Sequence, residues 1–157
     1  MVGLELGSRL MDLPVWTPRA DSDQRRASAV AIAEAVLSAR DLLTEQHLRE
    51  VLSIAVWKYT ECDGKYTTRF RSEAALFARA KDVHHEHVVT RRSLIDRIIA
   101  KPELVRRIFE DAVGCVVLRD EHRQLGVVER EHPSAVGWER YRLAGVRVWD
   151  LAERRLI

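Results

Sequence analysis

At 157 residues, 46% hydrophobic and 32% charged, the chain is long enough to bury one core and too short for two independent ones, so it reads as a single globular domain. Its formal charge of +2 and pI near 8.7 admit an anionic partner without requiring one. Only Cys62 and Cys115 are present, far apart and in no CxxC pair, so neither a disulfide framework nor a thiolate zinc cage is suggested and a reducing cytoplasm is the default setting.

The first twenty residues, with Pro14 and Pro18, read as an extended arm. Their opening MVGLELGSRLMDLP has no basic n-region before a long apolar run, and nothing later approaches the roughly 18 apolar residues of a spanning helix, so neither secretion nor membrane insertion is expected. Residues 21–62 read as a helical hairpin. Asp21, Ser22 and Asp23 offer capping oxygens to an alanine-rich helix running to about Leu43, Thr44 caps a second with Leu48, Val51, Leu52, Ala55 and Val56 along one stripe, and Asp63-Gly64 makes a turn. An alanine-rich seam also suits close helix approach, hence a homo-oligomer or a protein partner.

Residues 63–125 form a candidate metal-site element. KYTTRFR is β-prone, Ser72 caps a brief helix in EAALFARA, and a strand follows at 83–89. RRSLIDRIIA and PELVRRIFEDAV read as two helices split at Lys101-Pro102, GCVVLR as a strand, and Asp120 as the cap of a helix holding Glu121, His122 and Leu125. Residues 126–157 supply a Pro133-Ser134 loop, a short helix in WERYRLAG and a final strand, VRVWD, with Trp138, Tyr141 and Trp149 closing over the core. The fold class is α+β, mainly helical, an N-terminal helical hairpin packed on a small ββα-like element with short strands.

Chemistry concentrates in VHHEHVVTRR, residues 83–92, which holds three of the six histidines beside a glutamate. The strand followed by helices, a second strand and a helix carrying His122 resembles the HNH, or ββα-metal, nucleases. Glu86-His87-Val88-Val89 matches their first element and Asp120-Glu121-His122 their last, over about a quarter of the chain. The resemblance implies hydrolysis of a phosphodiester with one divalent cation (Mg, Mn or Zn), His87 as general base, Glu86 and His122 as metal ligands, and Arg91 and Arg92 facing phosphate. A neutral imidazole takes a proton near physiological pH, and the cation stabilises charge on the scissile phosphate. The chain departs from the pattern at Thr90, where the family usually has proline, and it contains no asparagine at all.

Strand geometry offers a rival set. Successive side chains alternate in direction, so Glu86 and His87 share a site only at a bend, whereas His85 and His87 share a face and would bind a transition metal with His122. The plainer alternative is a strand surface whose imidazoles hydrogen-bond locally.

Around WKYTECDGKYTTRFR, basic residues alternate with aromatics in the manner of a nucleic-acid face, with Lys65, Arg69 and Arg71 as further phosphate contacts. From Lys58 to Arg107, twelve Lys or Arg oppose seven Asp or Glu, an excess of +5, which makes this middle third the face for a polyanion. Arginine outnumbers lysine 22 to 4, which suits bidentate phosphate contact, although a GC-rich genome gives the same bias. The run from Trp57 to Leu125 also resembles a group of short bacterial proteins, implying that both stretches belong to one unit. No GxSxG elbow or glycine-rich nucleotide loop is present, and Cys115 reads as a small core residue. The leading function is a metal-dependent nuclease, possible as a component of a larger system; the alternative is a non-catalytic nucleic-acid- or protein-binding module using the basic middle.

Overall fold

Asp63 draws the two ends of the helical hairpin together. In the computed structural model, which describes residues 13–157, its buried carboxylate accepts from the Arg19 amide at 3.0 Å and from the Ser22 hydroxyl. The carboxylate thus ties the start of α1 (Ser22–Ser38) to the turn after α2 (Glu45–Thr60). Gly64, at φ 107°, makes that turn in a conformation that costs glycine little. Thr44 caps α2 as expected, its hydroxyl accepting from the His47 amide at 3.2 Å. Helix α1 is shorter than its apolar pattern suggested. It ends at Ser38 in a 3-10 turn, Arg40–Leu42, that leaves Leu42 88% exposed.

The fold is α+β and mainly helical, and it falls into two compact units. The helical unit comprises residues 18–65 and 87–114. It adds α3 (Arg91–Ala100), capped by the Thr90 hydroxyl, and α4 (Val105–Glu110), entered through a 3-10 turn at Pro102. These helices pack with the hairpin. Leu94, Ile98, Ile108 and Phe109 share one buried cluster with Ala33, Leu52 and Val56, and helices buried on a common apolar stripe stay together.

The second unit comprises residues 13–17, 66–86 and 115–157. A mixed five-stranded sheet is ordered β2-β3-β1-β4-β5, with β1 at Phe70–Ser72, β2 at Val83–His87, β3 at Gly114–Leu118, β4 at Val148–Asp150 and β5 at Arg155–Leu156. Strand β1 runs parallel to β3, with Phe70 opposite Cys115, and antiparallel to β4, with Phe70 opposite Asp150. The strand expected across KYTTRFR narrows to β1, and EAALFARA gives 3-10 turns at Glu73–Ala75 and Ala80–Asp82. The tail ends in a hairpin rather than one strand. Asp150 accepts from the Ala152 and Glu153 amides and, through both oxygens, from Arg69, and Arg154 turns the chain at φ 52°. Tyr141 and Trp149 are buried, Trp138 meets Phe70 edge-on, and Leu13 packs with Trp149 and Leu151. Cys115 is fully buried in β3, and burial pushes its thiol far above the usual range, as expected of a core cysteine. Helix α5 (Arg119–Glu131) follows β3 directly, and α6 (Trp138–Leu143) comes later. Helix α5 begins one residue before the expected Asp120 cap, because Glu121 reaches back to the Leu118 amide at 2.8 Å.

Candidate metal centre

Strand β2 and the first turn of α5 bring three potential ligands together. Residues two apart on a strand face one way, so His84 and Glu86 project to the same side. His122, on α5, meets them there: the ligand atoms of His84, Glu86 and His122 all lie within 4.8 Å of one another. The imidazoles of His84 and His122 stack at 3.9 Å with 21° between their planes.

Glu86 is the buried anchor, 8% exposed. One carboxylate oxygen pairs with Nδ1 of His122, and the other accepts from Nη2 of Arg140 at 3.0 Å. Arg140 is itself only 2% exposed, with Nη1 3.8 Å from a Glu129 oxygen. This guanidinium orients Glu86 and leaves one oxygen for the histidines' side. The His122 side chain is 44% exposed, so the group is reached from solvent. Burial, and then the charge of His122, hold the His84 pKa below its usual value, against a weaker opposing pull from Glu86. That shift favours neutral imidazole, the form that binds a metal.

The structure brings Glu86 and His122 together, and the third residue of the group is His84. His85, expected as a further ligand, is 3% exposed and lies outside the group. His87 is also outside it. It belongs to the helical unit, 6% exposed, with Nε2 3.2 Å from the Thr60 hydroxyl and its ring edge-on to Trp57 at 6.2 Å. A buried imidazole occupied in this way is poorly placed to take a proton from water.

The basic residues separate into two groups. Arg69 is locked to Asp150 through bonds of 2.8 and 2.7 Å, and Arg71 donates to the Ala75 carbonyl at 2.8 Å. Both guanidinium groups are engaged within the fold. Within the helical unit, Arg91 lies 4.6 Å and Lys65 5.8 Å from the half-buried Trp57 ring, and Arg92 is exposed.

Sequence reasoning missed His84, although the period of two applied to Glu86 points straight to it. Arg140 had no such signal, because it reaches Glu86 from 54 residues away. Arg119 was also missed. Its Nε donates to the Lys81 carbonyl at 2.9 Å, and its charge acts on His84.

Compared with known proteins, the chain matches no family model, no curated protein and no solved structure.

Proposed function

We propose that the protein is a metal-dependent nuclease that hydrolyses phosphodiesters at a divalent-cation centre formed by His84, Glu86 and His122. The observation that carries this reading is the convergence of two imidazoles and a carboxylate from β2 and α5 on one solvent-reached point. Two nitrogens and one oxygen suit zinc, manganese, iron or nickel better than magnesium or calcium. With one Glu86 oxygen held by Arg140, the carboxylate offers a single ligand atom, and three protein ligands leave positions open for water and a phosphate oxygen.

A bound cation there would stabilise negative charge on the scissile phosphate and leaving oxygen. Arg140 fixes the Glu86 carboxylate, the lowered pKa of His84 keeps that ring ready to ligate, and Arg119 adds positive charge beside the centre. The acid of the first strand and the histidine of the closing helix are the two points at which the HNH-like resemblance supports this reading.

A second reading, a non-catalytic nucleic-acid-binding module, is favoured by the gathering of Arg91 and Lys65 on Trp57. One set of experiments separates the two. Calorimetry with Mn²⁺, Zn²⁺ and Mg²⁺ on wild type, His122→Ala and the exposed-histidine control His47→Ala should give stoichiometric binding lost only in His122→Ala. Cleavage of DNA or RNA should then require the metal and stop in EDTA. Absence of binding by any of these ions sinks the nuclease reading, and nucleic-acid affinity undiminished by EDTA and without turnover favours the binding module.

A further inference from the structure

Arg119 stands three residues before His122 on α5, one turn away on the same face. Helical side chains lean back over the preceding turn, so the His122 ring extends towards it. Arg119 is tied to the other arm of the centre as well. Its Nε donates at 2.9 Å to the carbonyl of Lys81, in the 3-10 turn that leads directly into β2, three residues before His84. Its charge is felt there: burial is the main cause that lowers the His84 pKa, and Arg119 adds a smaller push the same way. Arg119 thus borders both elements that supply the group, and all of these residues lie in the sheet unit.

The bond to Lys81 occupies Nε alone. Among the described residues neither Nη group of Arg119 has a partner, and the side chain is exposed. The acids around it are engaged elsewhere. Asp82 pairs with Arg79 at 3.0 Å, Asp120 pairs with Arg123, Glu121 accepts from the Ser72 hydroxyl and the Leu118 amide, and Glu86 is held by His122 and Arg140. A guanidinium fixed at one edge, open at the other and left unneutralised beside a metal-ligand group is suited to an anion.

We infer that Arg119 is the phosphate clamp of this centre, donating from its Nη groups to one non-bridging oxygen of the substrate phosphate while the cation takes the other. The assignment rests on the metal-dependent nuclease reading. A phosphodiester has two non-bridging oxygens. Three protein ligands leave the cation a position for the first, and Arg119 is the exposed cation that the fold fixes beside the group for the second. The clamp belongs to the anion and not to the metal, so its loss is felt in phosphate binding while the metal stays bound.

The test is calorimetric titration of inorganic phosphate into protein loaded with Mn²⁺ or Zn²⁺ and into protein in EDTA. Wild type should bind phosphate more tightly with the metal than without it. Arg119→Gln should weaken phosphate binding to the loaded protein by about 10-fold to 100-fold with metal affinity unchanged. Arg119→Lys should recover part of that loss, because it restores the charge without the fork. Arg123→Gln, one turn further along α5 and paired with Asp120, should behave as wild type. Phosphate held equally by wild type and Arg119→Gln, or held by wild type with no regard to metal, overturns the clamp and leaves the metal centre standing. Metal affinity lost together with phosphate in Arg119→Gln also overturns it, since Arg119 would then act only by supporting β2 through Lys81. A protein that binds neither Mn²⁺ nor Zn²⁺ loses the centre and the clamp together. Metal-linked phosphate binding that depends on Arg119, in a protein that cleaves no nucleic acid, supports the clamp and removes the nuclease reading alone.

Discussion

Arg140 and Glu86, each less than one-tenth exposed, are joined at 3.0 Å, and the carboxylate oxygen that Arg140 leaves over is the one paired with His122. A buried carboxylate facing two imidazoles needs such a cation, because an uncompensated charge in the interior is expensive. The pair is therefore both a structural element and the support that orients Glu86 within the candidate metal centre.

Removing Arg140 should expose both roles. Arg140→Met leaves Glu86 buried without its guanidinium, and stability measured by urea unfolding should fall by about 3–5 kcal/mol. Among molecules still folded, metal affinity should drop by about 10–100-fold, the usual effect of losing a residue that orients a ligand. Adding Glu86→Gln should recover part of the stability and none of the metal binding. Recovery of both would show that Arg140 acts only through buried charge.

Adjacent histidines should behave oppositely. His84→Ala removes a ligand and should abolish stoichiometric metal binding with little loss of stability, since His84 is only half-buried. His85→Ala empties a buried position, 3% exposed, and should cost about 1–3 kcal/mol while leaving metal stoichiometry unchanged. Calorimetry beside thermal unfolding reads both, and metal binding lost in His85→Ala instead would overturn the assignment.

That contrast marks how far the sequence could be read. Periodicity and local signals located α1 to α4, because Thr44 and Pro102 act locally and apolar stripes such as Leu48, Leu52 and Val56 need no knowledge of the partner. Glu86 and His122 were legible from residue type and order. Which face of β2 meets α5 was not, since alternation defines two faces without saying which one the helix covers. The fate of Arg69 was equally hidden, because Asp150 lies 81 residues beyond it and no local pattern joins them. The hairpin of β4 and β5 carries no glycine turn. Its only local sign is Asp150, two residues before the amides it accepts from.

Asp150 also sets an acid limit on stability. Hydrogen bonds from Arg69 foremost, against an opposing effect of burial, hold its carboxyl below the usual value. A carboxyl with a lowered folded-state pKa stabilises the fold above its unfolded value, about 3.9, and that contribution disappears as pH falls through the lowered one. Asp150→Asn should lose on the order of 2 kcal/mol at pH 7, through weakened bonds to Arg69 and to the two turn amides. Below about pH 4 the difference between variant and wild type should shrink. Urea unfolding across this range checks the sign, and a gap that widens on acidification would refute it.

The basic residues should separate by what their charges already do. The guanidinium of Arg69 is engaged by Asp150, whereas Arg92 is exposed and Lys65 and Arg91 lie over Trp57. Only charges that meet phosphate release counterions, so only they steepen the dependence of affinity on salt. Arg92→Gln and Lys65→Gln should each reduce the slope of log affinity against log salt by about 0.7–0.9, with stability unchanged. Arg69→Gln should leave that slope intact and lower stability instead. Titrations of labelled DNA from low to moderate salt, in EDTA, measure all three. A slope that falls with Arg69→Gln and not with Arg92→Gln would move the polyanion face away from α3 and onto the sheet unit.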